Sequence, residues 1–246
     1  MMRSKGSLIG LAQHGGLAGD AEAACRLGGR RGRPCQIAEP ERRQLLLDAA
    51  ESVFLELGYS AASMDDIARR AGMSKKTLYR LFETKESLFA AVIAARRASL
   101  NVTIEPGECA DAPAAGEALR RYLGVMARFV LAPRQAALYR LVIAESQRAP
   151  ELAHSFHREG PSKCRALLSD WLALQDARGS LHVADPQSAA GMLFSMVISD
   201  LQMCVLIGER GAPDEAQIDR GVNRAVELFL EGAAPRDKKI AGQERG

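Results

Sequence analysis

From Glu41 the chain reads ERRQLLLDAAESVFLELG, and Leu46, Ala49, Ala50, Val53, Phe54 and Leu57 recur at three- and four-residue spacing. That spacing is the period of one buried helix face, and Gly58 supplies a stop. Ser63 opens SMDDIARRAG, where Asp66 three residues on completes a capping box and the early acids suit the helix dipole. Ile67, Ala68 and Ala71 give this second helix its apolar side, and Gly72 ends it. Ser74 caps a third helix from Lys75, and Thr84 caps a fourth running from Lys85 through Leu88, Phe89, Val92 and Ile93 toward Arg97. A helix of about six residues does not persist alone in water. The third must therefore be fastened by Leu78 and Phe82, which leaves Lys75, Lys76, Thr77 and Tyr79 near its exposed amino end.

Residues 98–114 interrupt the periodicity with Pro106, Gly107 and Pro113. Beyond them the pattern predicts helices over Ala115–Ala132, Arg134–Ser146, Pro150 to about Leu174, Pro186–Ile207 and Pro213–Leu230. Pro133, Pro150, Pro186 and Pro213 lie near predicted helix starts, where a missing amide hydrogen costs nothing. Pro161 can kink or divide the third of these helices. No segment carries a strand pattern, so the expected class is all-α. The apolar run Gly191–Gly208 includes Asp200 and reads as a buried helix rather than a membrane span.

Composition changes this picture mainly through charge. The formal net charge is only +3, but residues 26–97 hold 14 Lys/Arg against 9 Asp/Glu, while residues 98–246 hold 17 against 19. A basic amino-terminal unit on a slightly acidic remainder favours a polyanionic partner for that unit. The five cysteines are scattered, without CxxC spacing, which suggests neither a zinc site nor a disulfide framework and fits a reducing cytoplasm. His154 and His157 in HSFH have metal-compatible spacing but no matched third ligand, so no metal and no cofactor is expected. No HExxH, GxSxG or GxxxxGK signature is present, and Asp65 with Asp66 is explained by capping; the chain is not expected to be an enzyme.

SMDDIARRAGMSKKTLYRLF (Ser63–Phe82) thus reads as two short helices joined by a tight turn, the arrangement that presents a helix amino end to a major groove. Together with AAESVFLELGY and KESLF, it makes residues 40–89 resemble the DNA-binding domain of the TetR family of bacterial transcriptional regulators. LYRLVIAESQRAPELAHSFHREG, within Leu138–Phe194, is similar to the carboxy-terminal region of AefR-like members. The resemblance implies a helix-turn-helix three-helix unit over residues 39–97 and a helical bundle for effector binding and dimerisation over 98–232. A flexible extension (1–38) and a flexible tail (233–246) flank them.

Carried over residue by residue, the resemblance puts Lys75, Lys76 and Thr77 at the start of the recognition helix, toward base edges, with Tyr79 against backbone or base. Ser63 and Lys85 match positions that meet phosphates. Arg30, Arg31 and Arg33 form a basic arm suited to a flanking minor groove, or else a solvated tail. Leu81 departs from the family's tyrosine or histidine: either Arg80 supplies that phosphate contact, or Leu81 packs and the contact is missing.

The implied partners are a palindromic operator in double-stranded DNA, a second copy of the chain and a small hydrophobic effector. Met192, Met196, Ile218, Val222, Val226 and Phe229 are candidates for the dimer interface. Phe129, Leu138, Tyr139, Val142, Phe156, Leu168, Trp171 and Met196 are candidates for a pocket, each also serviceable as plain core. The implied function is a repressor released by its effector. The alternatives are an activator or ligand-independent regulator, or a helical protein-interaction module.

Overall fold

The computed structural model describes residues 38–100, 104 and 111–233. The expected amino-terminal extension with Arg30, Arg31 and Arg33 lies outside these residues, as does the tail beyond residue 233. Contacts divide the chain after Ala38, and all the helices belong to the unit that begins at Glu39. In chain order they are α1 (Glu39–Leu57), α2 (Met64–Arg70), α3 (Lys75–Leu81), α4 (Lys85–Ala98), α5 (Ala112–Leu131), α6 (Pro133–Glu145), α7 (Pro150–Glu159), α8 (Pro161–Ala177), α9 (Pro186–Ile207) and α10 (Glu215–Ala233). No strand occurs among the described residues.

The local signals at the amino end operate as expected. Ser63 caps α2 in a reciprocal box with Asp66, Ser74 accepts from the Thr77 amide to cap α3, and Thr84 caps α4. Gly72 turns the chain between α2 and α3 at φ 64°, a left-handed value that a side chain would strain. Of the two outcomes expected at Pro161, division occurs: the helix from Pro150 breaks at Gly160, with Pro161 in the first turn of α8. A Cβ at Gly160 would stand 3.3 Å from the Ile93 side chain, so glycine allows this corner to approach α4. The last helix starts at Glu215 rather than Pro213.

Two cores organise the molecule. The first joins α1–α4 around Phe54, Tyr59 and Phe89, whose ring centroids lie 5.5–5.7 Å apart. Leu138 and Val142 of α6, with Leu152 and Phe156 of α7, complete it. The helix-turn-helix unit therefore does not close its core at residue 97; two later helices seal it. The second core unites α5, α8, α9 and α10 around Leu119, Leu123, Leu168, Leu172, Leu193 and Val226.

Glu51 ties the first core together electrostatically. Its carboxylate is 2% exposed, yet it accepts from Arg96 of α4 at 3.0 Å and from Arg134 of α6 at 2.8 Å through both oxygens. A buried carboxylate is tolerable only with such pairing.

Within the subunit, α9 is buried on one side only. Ala189, Ala190, Leu193, Val197, Ile198 and Val205 are buried, but Met192, Met196, Met203 and Ile207 are 46–69% exposed on the other side. At 22 residues and mean hydropathy 1.8, α9 is by length and composition apolar enough to cross a membrane. In the fold it is instead the central helix of the second core, with one apolar flank uncovered.

Candidate nucleic-acid interface and effector cavity

The exposed cationic face of the helix-turn-helix is built on α3. Leu78 is fully buried and Phe82 nearly so, which pins a seven-residue helix to the first core. Lys75, Lys76, Tyr79 and Arg80 face solvent. The Lys75 ammonium bonds to Asp65 at the start of α2, joining the amino ends of the two helices. Both groups are substantially exposed, so that pair holds its geometry weakly and yields readily to a stronger anion. Lys76 has no ion pair among the described residues. Thr77 is half-buried, its hydroxyl 2.9 Å from that of Ser74. Arg80 lies 3.8 Å from Glu39. Ser63 is exposed, with its hydroxyl engaged in the α2 cap. Leu81 packs partly buried against the first core.

Lys85 is placed differently from the simple phosphate-facing expectation. Its Nζ donates to the carbonyls of Tyr59 at 2.7 Å and Ala62 at 3.0 Å, and lies 4.5 Å from the Tyr59 ring centroid. Desolvation holds its pKa below the usual lysine value, partly offset by the charges of Glu145 and Glu151. The lysine thereby clamps the turn between α1 and α2. Burial pushes the Tyr59 phenol the other way, up to about 12. Two further fasteners escape a reading by motif: Arg70 grips Glu56 through both nitrogens at 2.6 and 2.7 Å, and Arg43 stacks 4.5 Å over Phe82.

Behind this head lies a cavity of about 140 Å³ bounded by α4–α9. Phe129, Tyr139 and Phe156 line it as expected, with the rings of Tyr139 and Phe156 edge to face at 4.7 Å. The other five pocket candidates lie elsewhere. Leu138 and Val142 belong to the first core, Leu168 and Trp171 to the second, and Met196 is on the outer surface. Periodicity marks a side chain as apolar-facing without saying which of two cores receives it. The cavity's polar wall, with Arg97, Gln135, Arg165, Ser199 and Gln202, was missed because its members come from α4, α6, α8 and α9. The Gly160–Pro161 break forms part of that wall.

Of the interface candidates, Ile218, Val222 and Val226 are buried within the subunit, and Phe229 packs partly against the same core. They bury the inner face of α10. Met192 and Met196 remain available outside. His154 and His157 are both exposed, and no group of three potential metal ligands forms among the described residues.

A capped helix-turn-helix with a cationic exposed face, standing on a helical bundle that encloses a cavity, defines a DNA-binding transcriptional regulator. Family comparison narrows this further. Residues 46–92 match the model for bacterial regulatory proteins of the tetR family, and residues 117–232 match the carboxy-terminal domain of AefR-like transcriptional repressors. The chain belongs to the TetR family of transcriptional regulators, which are not enzymes.

Among its relatives, the HTH-type transcriptional activator FasR of Mycolicibacterium smegmatis is 50% identical over 66 residues, 27% of this chain and 29% of FasR. The match to SrpR of Pseudomonas putida likewise spans less than a third of that protein. BepR of Brucella suis, a transcriptional repressor, is 28% identical over 70% of this chain and 83% of its own length. The solved structure of the flavonoid-responsive regulator FrrA is 32% identical, covering 80% of this chain and all of FrrA with a TM-score of 0.68.

Proposed function

We propose that the protein is a homodimeric cytoplasmic repressor that binds a palindromic operator and releases it when a small, largely apolar effector enters the cavity. The observation that carries this reading is the double duty of α4. Near its start, Lys85, Leu88 and Phe89 hold the helix-turn-helix; further along, Ile93, Arg96 and Arg97 line the cavity. An occupant that favours one placement of α4 thus biases the placement of α3. Release requires only that the effector bind the non-operator geometry more tightly.

In this reading residues 39–97 form the DNA-binding unit and 98–232 the effector and dimer unit. Lys75, Lys76 and Thr77 face bases, Tyr79 and Arg80 flank them, Ser63 and the start of α4 approach phosphate, and Arg30, Arg31 and Arg33 enter the minor groove. The second copy covers Met192, Met196, Met203 and Ile207 of α9, because an exposed apolar row of this size on a helix calls for a partner. The AefR-like repressor domain and the kinship with BepR support repression, and the responsiveness of FrrA supports an effector. An activator is the second reading, favoured by the 50% identity of the head region to FasR.

Deleting the gene tests the sign of regulation. Expression from the gene's own upstream region should rise, whereas a fall identifies an activator. A Met196→Glu allele should reproduce the deletion, and the purified variant should elute as a monomer, because a charge in the shared apolar row blocks pairing. An unchanged dimer places the interface elsewhere.

A further inference from the structure

We infer that the cavity is a receptor for an amphipathic acid, a small molecule with an apolar body and one carboxylate, whose charge is met by Arg165. This names the effector class for the regulatory role proposed above and rests on it.

The lining decides the sign. It contains Arg96, Arg97 and Arg165 and no aspartate or glutamate. Arg96 is already committed to Glu51 at 2.9 Å, and Arg97 donates through Nε to the Glu159 carbonyl at 3.1 Å. Arg165 makes no ion pair among the described residues. A cationic, carboxylate-free wall beside aromatic rings attracts an anion and repels a cation.

Unspent hydrogen-bonding capacity points the same way. Gln135 is 7% exposed, yet its Oε1 has no donor; the buried Nε2 of Gln202 lies toward the Tyr139 phenol without making a well-formed hydrogen bond. Each such group is costly to bury unpaired, and native structures normally satisfy them. Both residues line the cavity, whose polar side thus offers an idle cation, an idle donor and an idle acceptor. Phe129, Phe156 and Phe194 supply apolar lining. A carboxylate takes the cation and the Gln202 donor, and its apolar body takes the ring wall. A hydroxyl elsewhere on the ligand would fill the Gln135 acceptor.

The test pairs each acid with its neutral isostere on the full chain: 2-naphthoate with 2-naphthamide, and octanoate with octanamide, by calorimetry. At least one acid is expected to bind about tenfold or more tightly than its amide. Arg165→Gln should erase that difference while leaving amide binding unchanged; because Arg165 is exposed, the substitution spares the core. Gln202→Leu, read by thermal unfolding, should lose part of the stabilisation that the acid confers on the wild type. If neither acid exceeds its amide, or if Arg165→Gln keeps the preference, the assignment is wrong. Operator binding by the same preparation is measured alongside. Absence of operator binding before any acid is added refutes the regulatory reading, whereas operator binding without acid preference refutes only the effector class.

Discussion

Leu78→Ala is expected to lower folding stability by about 2–5 kcal/mol and to cut specific DNA affinity at least tenfold. Leu78 is fully buried and is the main attachment of α3 to the first core. A helix of seven residues has too few internal hydrogen bonds to offset its own ordering, so its conformation is borrowed from that contact. Alanine removes the anchor and leaves a void, and the exposed Lys76 and Tyr79 lose their fixed orientation. Leu78→Met, which conserves volume, should cost less than about 1.5 kcal/mol and retain most of the affinity. Denaturant unfolding and DNA titration of both variants check the pair. Full DNA affinity in a destabilised Leu78→Ala protein would show that α3 is not the reading element.

Lys85→Met carries the second large effect, about 1.5–3 kcal/mol, the range for a hydrogen bond to a charged group. Methionine keeps an apolar stem but leaves the Tyr59 and Ala62 carbonyls without their ammonium donor. Because that clamp orients the α1–α2 turn and the start of α4 together, affinity should fall by a similar factor for native and scrambled DNA. A loss of DNA affinity with unchanged stability would mean that Lys85 serves phosphate alone and that its inward bonds are incidental.

The amino-terminal half was legible because its instructions are local. Ser63 with Asp66, Gly72, Ser74 and Thr84 act on backbone within three residues of themselves, so spacing along the chain is nearly the whole message. The direction of Lys85 was not legible, since its carbonyl partners lie 23 and 26 residues away. Glu51 left a trace that could have been followed: a carboxylate between Ala50 and Val53, on the apolar face of α1, requires a cationic partner from another helix. Arg96 and Arg134 are that partner, separated from it by 45 and 83 residues.

The carboxy-terminal half illustrates the opposite limit. Periodicity found α9 and α10 but gave no account of what covers each face. Ile218, Val222 and Val226 turn inward to α5, while the Met192 and Met196 side of α9 is left open. The cavity depends on where α7 breaks from α8 at Gly160–Pro161 and on polar side chains contributed by four helices, an arrangement created only by packing.

The central claim is that α3 reads sequence. It is tested most directly by titrating the full chain against its own upstream DNA and a scrambled duplex over a range of salt concentrations, with Lys76→Ala in parallel. The wild type should favour the native sequence by about 10³-fold or more, and both affinities should fall as salt rises. Lys76→Ala should lose about 1–3 kcal/mol of that discrimination while still binding scrambled DNA. Equal affinity of the wild type for both duplexes, or unaltered discrimination by Lys76→Ala, would contradict the account.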